Sequence, residues 1–266
     1  LPPLHPPPSS PVHKYPTGGR GCETPAPAAC ATALRVYPAP AKTGAAVQKI
    51  QNLPEAPLEF TEITPAADIR TPAHGWRAKC LQRLVRLDLP VPETVALPAA
   101  TVRAIASGQM VDARAILSHF GPQPLVSVRP SPENPDWGGP GTVLNIGMNA
   151  ARHARLVETN GAAAADAIYL RFVRGYATHV ARLDPDMFDA GAPPAEALRE
   201  ALRHYEREME EPFPEDPARQ LAEVLRSMAR AWEGTSARLL RQAKGAPAEA
   251  ALGLVVQAMA QGIGQG

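Results

Sequence analysis

Cysteine is scarce in this chain. Three residues, at positions 22, 30 and 80, are too few and too irregularly spaced for a disulfide framework or a zinc box. Seven histidines never occur as HxxxH or HxH, so no metal centre is expected. Neither sign of charge dominates: Lys plus Arg is 27, Asp plus Glu is 26, and the net charge of +1 implies no general affinity for nucleic acid. Long apolar runs are missing as well. The longest, Ala250 to Ala260, covers 11 residues and is too short to span a bilayer. No basic segment followed by an apolar core opens the chain, so the expectation is a cytoplasmic, soluble protein. Aromatic residues make up only 5%, so the few that recur at helical spacing deserve weight as core.

What the chain has in excess is proline, 31 residues, of which 14 fall in the first 70. Proline removes a backbone donor and blocks both helix and sheet ladders. Residues 1–55, opening "LPPLHPPPSSP", are therefore expected to form a disordered segment, with a PxxP-type docking ligand as a minor alternative.

Order is expected from "LEFTEI" (Leu58 to Ile63), a first strand. "GWRAKCLQRLVRLDLP" places Leu81, Leu84 and Val85 at helical spacing, with Pro90 beyond the end. Two short helices follow, Ala99 to Ser107 and Met110 to Phe120. "LVSVR" is the clearest strand, with "TVLNIG" as its return. Helices then dominate: Asp166 to Leu183 with Tyr169, Phe172, Tyr176 and Val180 on one face, and Ala195 to Met209 with Leu198, Leu202 and Tyr205. Asp216 before Pro217 reads as an N-cap and first turn of a third long helix carrying Leu221, Leu225, Met228 and Trp232. Thr235 to Lys244 is closed by Gly245, and "LGLVVQAMA" reads as a last strand. The class is α+β.

On residues alone the chemistry stays open. Arg129 ends a strand and faces a loop, "PSPENPDWGGPG", of Pro, Gly, Asp and Asn. That is either an anion ligand or a surface turn. The loop has no GxxxxGK[ST] cradle, and the chain has no GxGxxG fingerprint and no G-x-S-x-G elbow. Glu206, Glu208, Glu210 and Glu211 read as a solvated helix face.

The order of segments carries more than any one of them. "LPVPETVALP", "LVSVRP…GGPGTVLNIGMN", "LRFVRGYATHVARLDPDMF", "EPFPEDPARQLAEVLRSMARAWEG" and "LGLVVQAMAQG" together resemble the N-terminal ATP-binding region of pyruvate phosphate dikinase, over about residues 74 to 266. The resemblance implies an ATP-grasp-like nucleotide-binding lobe over residues 56–266 with a large helical insertion, a helical subdomain at about 150–245. It implies ATP and Mg²⁺ as cofactors. The family's partners in the full-length protein are a phosphohistidine domain and a barrel that binds pyruvate or phosphoenolpyruvate. Arg129 matches the family's phosphate-binding arginine. Gly138, Gly139 and Gly141 match the loop that approaches phosphate, and Gln257 and Met259 match the strand that passes the adenine. Arg77 stands where the family's "GGKG" places lysine, since the motif here is "GWRA". A forked guanidinium keeps the charge but not the point-like shape of an ammonium.

Two departures weaken the match. Glu133 replaces a second family arginine, and Gly141 replaces an acidic residue. The family's second lobe, its metal-binding carboxylates and its phosphorylated histidine have no counterpart in these 266 residues. Hence no catalytic residue and no metal ligand is assigned. The expectation is a truncated ATP-binding part of such an enzyme, inactive when isolated, or alternatively a degenerate module that binds a nucleotide or partner without catalysis.

Overall fold

Alternation along the last strand organises the molecule. In "LGLVVQA", Leu254 and Val256 point to one side while Val255 points to the other, and all three are fully buried. A strand with both faces covered reads as a continuous apolar run, and such a strand belongs at the centre of a sheet. The computed structural model, which describes residues 58–188 and 191–260, shows that arrangement. The expected disorder of residues 1–55 lies outside the described residues.

Five strands, β1 (Thr61–Glu62), β2 (Thr94–Leu97), β3 (Val126–Pro132), β4 (Val143–Ile146) and β5 (Leu252–Ala258), form one antiparallel sheet in the order β1-β2-β5-β3-β4. β5 pairs β3 from Val126↔Ala258 to Pro132↔Leu252, with Arg129 opposite Val255. "LVSVR" and "LGLVVQA", more than a hundred residues apart in sequence, are thus neighbours in the sheet.

Helices cover the sheet unequally. One face carries α1 (Thr71–Arg86) over a small cluster of Ile63, Ile69, Ala78, Ala96 and Val255. The other face carries α2 (Ala99–Ala106), α3 (Ala113–Ser118), α4 (Ala150–Asn160), α5 (Ala162–His179), α6 (Pro194–Met209), α7 (Pro217–Glu233) and α8 (Thr235–Ala243). Their core includes Val95, Leu97, Val126, Val128, Leu254 and Val256 from the sheet. The described residues belong to one compact unit, and the class is α+β. Among them no helix is long and apolar enough to cross a membrane.

The centre of the helical side is Phe213, in the "EPFPEDP" turn. Its ring lies 5.0 to 6.2 Å from those of Tyr169, Phe172, Tyr176 and Tyr205, all edge-on. Gln220 fastens α7 from inside. It is fully buried, donates to the carbonyls of Met148 (2.8 Å) and Pro214 (2.6 Å), and accepts from the Gly147 N–H (2.8 Å). Asp216 caps α7 through the Ala218 N–H at 3.0 Å, as its position before Pro217 predicts.

Several boundaries differ from the sequence expectation. "LEFTEI" forms a ladder only at Thr61–Glu62, and the helix expected from Met110 starts at Ala113 because Asp112 caps it through the Ala115 N–H. β2 and α4 were not expected at all. β2 is four residues shut between Pro92 and Pro98, and α4 buries only Leu156, so neither shows a period.

Candidate anion site at the exit of strand β3

The even side of β3 (Val126, Val128) packs into the helical core, so Ser127, Arg129 and Ser131 face α1. Gly75 allows α1 to come close. Its φ of 80° breaks the helix, and a Cβ there would stand 1.7 Å from the Ser131 carbonyl oxygen. Ser131 then bridges the break, donating to the His74 carbonyl at 2.7 Å and accepting from the Ala78 N–H at 3.1 Å. Beyond Gly75 the helix begins afresh. Its first turn, with the partial positive charge of a helix start, therefore lies beside the end of β3.

Two cations meet there. Arg77, in that first turn, donates from Nε to the Pro130 carbonyl at 2.9 Å. Burial disfavours its charged form, and so does the charge of Arg129. The Arg129 Nε is buried and has no hydrogen-bond partner. Neither guanidinium has a carboxylate within 4.0 Å among the described residues. Two like charges held together without a counter-ion repel one another, so the arrangement is favourable only when an anion joins them. A cavity of about 390 Å³ opens beside Arg77, walled by Trp76, Arg77, Cys80, Pro130 and Gly138, and Arg129 is not among its lining residues.

The other residues singled out by the sequence are distributed as follows. Gly138 has a φ of 81° and sits between this cavity and a second one on the helical side. Gly139 packs on Pro130, where a Cβ would come within 3.1 Å. Gly141 lies under the His179 ring, 2.4 Å from where its Cβ would stand, so its lack of a side chain serves packing. Gln257 faces the same side as Arg129, two positions beyond Val255. It is built into the sheet between Ser127 and Thr94, with its amide donating to the Thr94 hydroxyl at 3.0 Å. The Met259 N–H is taken by the Leu125 carbonyl at 2.8 Å, while the residue lines a cavity of about 320 Å³ with Asn145 and Arg171. The structure therefore brings Arg77 and Gly138 to one cavity and puts Arg129 within electrostatic reach of Arg77. It leaves Met259 at the far end of β3, four residues away or roughly 13 Å at the usual strand rise.

Trp76, Cys80 and Lys244 were not singled out from the sequence. Trp76 and Cys80 follow from the restart of α1 after Gly75. Lys244 has no local signal: its Nζ stands 3.6 Å from where a Gly138 Cβ would be, across more than a hundred residues of chain.

Among the described residues no group of three His, Cys, Asp or Glu is placed to hold a metal ion. No protein-family model matches the chain, and no characterised protein matches it either.

Proposed function

We propose that the chain is a nucleotide-binding lobe of the pyruvate phosphate dikinase type, with an ATP-grasp-like fold, in which Arg77 and Arg129 hold the phosphates of ATP. The observation that carries this reading is the pair of guanidiniums without counter-ions, one on the first turn of α1 and one on β3. Phosphate groups supply what such a pair lacks: negative charge and several acceptor oxygens that a planar guanidinium fork can engage two at a time. The pairing of β3 with β5 supports the same reading, since it puts the phosphate arginine and the adenine-side segment in adjacent strands. Among the described residues no group of three His, Cys, Asp or Glu is placed to hold a metal ion, and Mg²⁺ is proposed to arrive with the nucleotide's phosphates. Residues that a complete dikinase needs, a phosphate-accepting histidine and a pyruvate pocket, are proposed to belong to partner domains.

The second reading is a binding module without catalysis. Glu133 favours it, an exposed negative charge four residues past Arg129. Calorimetric titration with ATP, with and without Mg²⁺, tests the common part of both. The expected dissociation constant is on the order of 0.1 to 1 mM, about 4 to 5.5 kcal/mol. Absence of saturable heat, or equal affinity in Arg129→Ala, overturns the proposal. Incubation with ATP, phosphate, Mg²⁺ and pyruvate separates the readings: AMP and phosphoenolpyruvate formed by the chain alone rule out the non-catalytic module.

A further inference from the structure

Behind Gly138, on the helical side of the sheet, a second cavity of about 410 Å³ opens between the glycine loop and the corner where α7 meets α8. Its volume falls in the range of small-molecule sites. Trp137 and Trp232 supply aromatic walls, Leu240 stands at the mouth with 66% of its surface exposed, and no acidic residue lines it.

The unusual group is Arg241. It is only 4% exposed, and its guanidinium carbon lies 3.7 Å from the centroid of the Trp232 ring. One Nη donates to the Trp232 carbonyl at 2.5 Å, and Nε is buried with no partner. Among the described residues no carboxylate lies within 4.0 Å of it. The adjacent acid, Glu233, is paired with Arg238 at 3.4 Å. A buried cation without a counter-ion is costly, and stacking on tryptophan offsets only part of that cost. Arg241 keeps most of its five donors unspent at the cavity wall. Lys244 adds a second cation at the same opening, next to Gly138.

We propose that this cavity binds a small planar aromatic anion, its ring against Trp137 and beside the Trp232–Arg241 stack, its charged group on Arg241 and Lys244. Tryptophan faces favour a flat ring, while two cations with no lining carboxylate favour a negative head. The aromatic walls and the cations point into one space, so ring and charge must belong to one molecule. The site is separate from the Arg77–Arg129 pair, since neither of those residues lines it. The inference does not depend on ATP binding. The anion is a carboxylate or a phosphate, and the two are distinguished by experiment.

The full chain is titrated by calorimetry with naphthylacetate, with naphthyl phosphate and with neutral naphthylethanol. At least one anion is expected to bind saturably and about tenfold more tightly than the neutral probe, as a charged hydrogen bond requires. The tighter anion identifies the head group. Ala237→Phe fills the half-buried mouth of the cavity and is expected to abolish binding, and Lys244→Ala to weaken it about tenfold. Arg129→Ala should leave naphthyl binding unchanged, so failure here and failure of the ATP reading are told apart. Equal affinity for the neutral probe, no saturable heat with either anion, or full binding in folded Ala237→Phe overturns the proposal.

Discussion

On the helical side of the sheet, Arg219 is held by Glu211 at 2.8 Å and by Glu223 at 2.9 Å. On the α1 side, Arg129 has no carboxylate within 4.0 Å among the described residues, and its Nε is buried without a partner. The neutral groups follow the same division. Tyr169 donates to Glu215 at 3.3 Å and Tyr176 donates to Glu223, while the core around them is aromatic and closed. The α1 face holds a cluster of only five buried residues and a cavity. An arginine whose charge is paired internally, like Arg219, has little left to offer a ligand. Where a cation is left unpaired, as Arg129 is on the α1 side and Arg241 is at the α7–α8 corner, it costs stability and stays available to a ligand.

The largest effect expected from this contrast is structural and on the helical side. Phe213→Ala removes the ring that four others surround, so stability should fall by about 3 to 5 kcal/mol in a denaturant titration. The ATP heat of the remaining folded protein should not change. If Phe213→Ala costs little, the aromatic cluster is not the core it is taken to be.

Arg129→Ala should act the other way round. ATP binding is expected to weaken by about 1.5 to 3 kcal/mol, the range for a hydrogen bond to a charged group. Its melting temperature should stay level or rise, because the variant removes one of two neighbouring like charges. A surface ion pair predicts the reverse, so a lowered melting temperature with unchanged affinity breaks the comparison.

Alkaline pH should weaken the helical side first. Burial, then the charges of Glu211 and Glu223, pushes the Tyr205 hydroxyl up from 10.0 to about 12, and burial with Glu215 or Glu223 raises Tyr169 and Tyr176 further. The folded state holds these protons more tightly than the unfolded chain. The stabilisation is therefore complete below pH 10 and is lost as pH rises toward 12. Tyr205 alone accounts for a loss on the order of 2 kcal/mol. Denaturant midpoints measured across that window should fall in the native chain and fall less steeply in Tyr205→Phe.

The smallest effect belongs to the paired cation itself. Arg219→Gln should cost about 0 to 1 kcal/mol, since the side chain is 43% exposed and its two ion pairs face solvent. A much larger loss would mean that the carboxylates it holds are needed to keep the tyrosines in place.

The long helices were legible because burial follows the helical period. α6 and α7 each carry five or more buried residues along one stripe, and the Asp216–Pro217 start marks itself. β3 and β5 were legible as apolar runs too short for helices. α4 and β2 were not, because one buried residue or four consecutive ones contain no period to detect. In the candidate site, Arg129 was legible as a cation at a strand end. Its lack of a counter-ion among the described residues was not, because that depends on where the acids of many distant segments come to lie.

Local chemistry, then, was settled by the sequence: which segments alternate, which helices have caps, and which glycine can take a positive φ. The tertiary structure decided what those segments meet. Arg77 reaches Arg129 across fifty-two positions only because Gly75 lets α1 touch Ser131, and Lys244 reaches Gly138 only because α8 folds back on the loop. Arg241 becomes a buried cation only because Trp232 lies under it. Periodicity reports which side of an element is apolar, and contact between elements depends on how those sides close over one another. No local pattern records that closure.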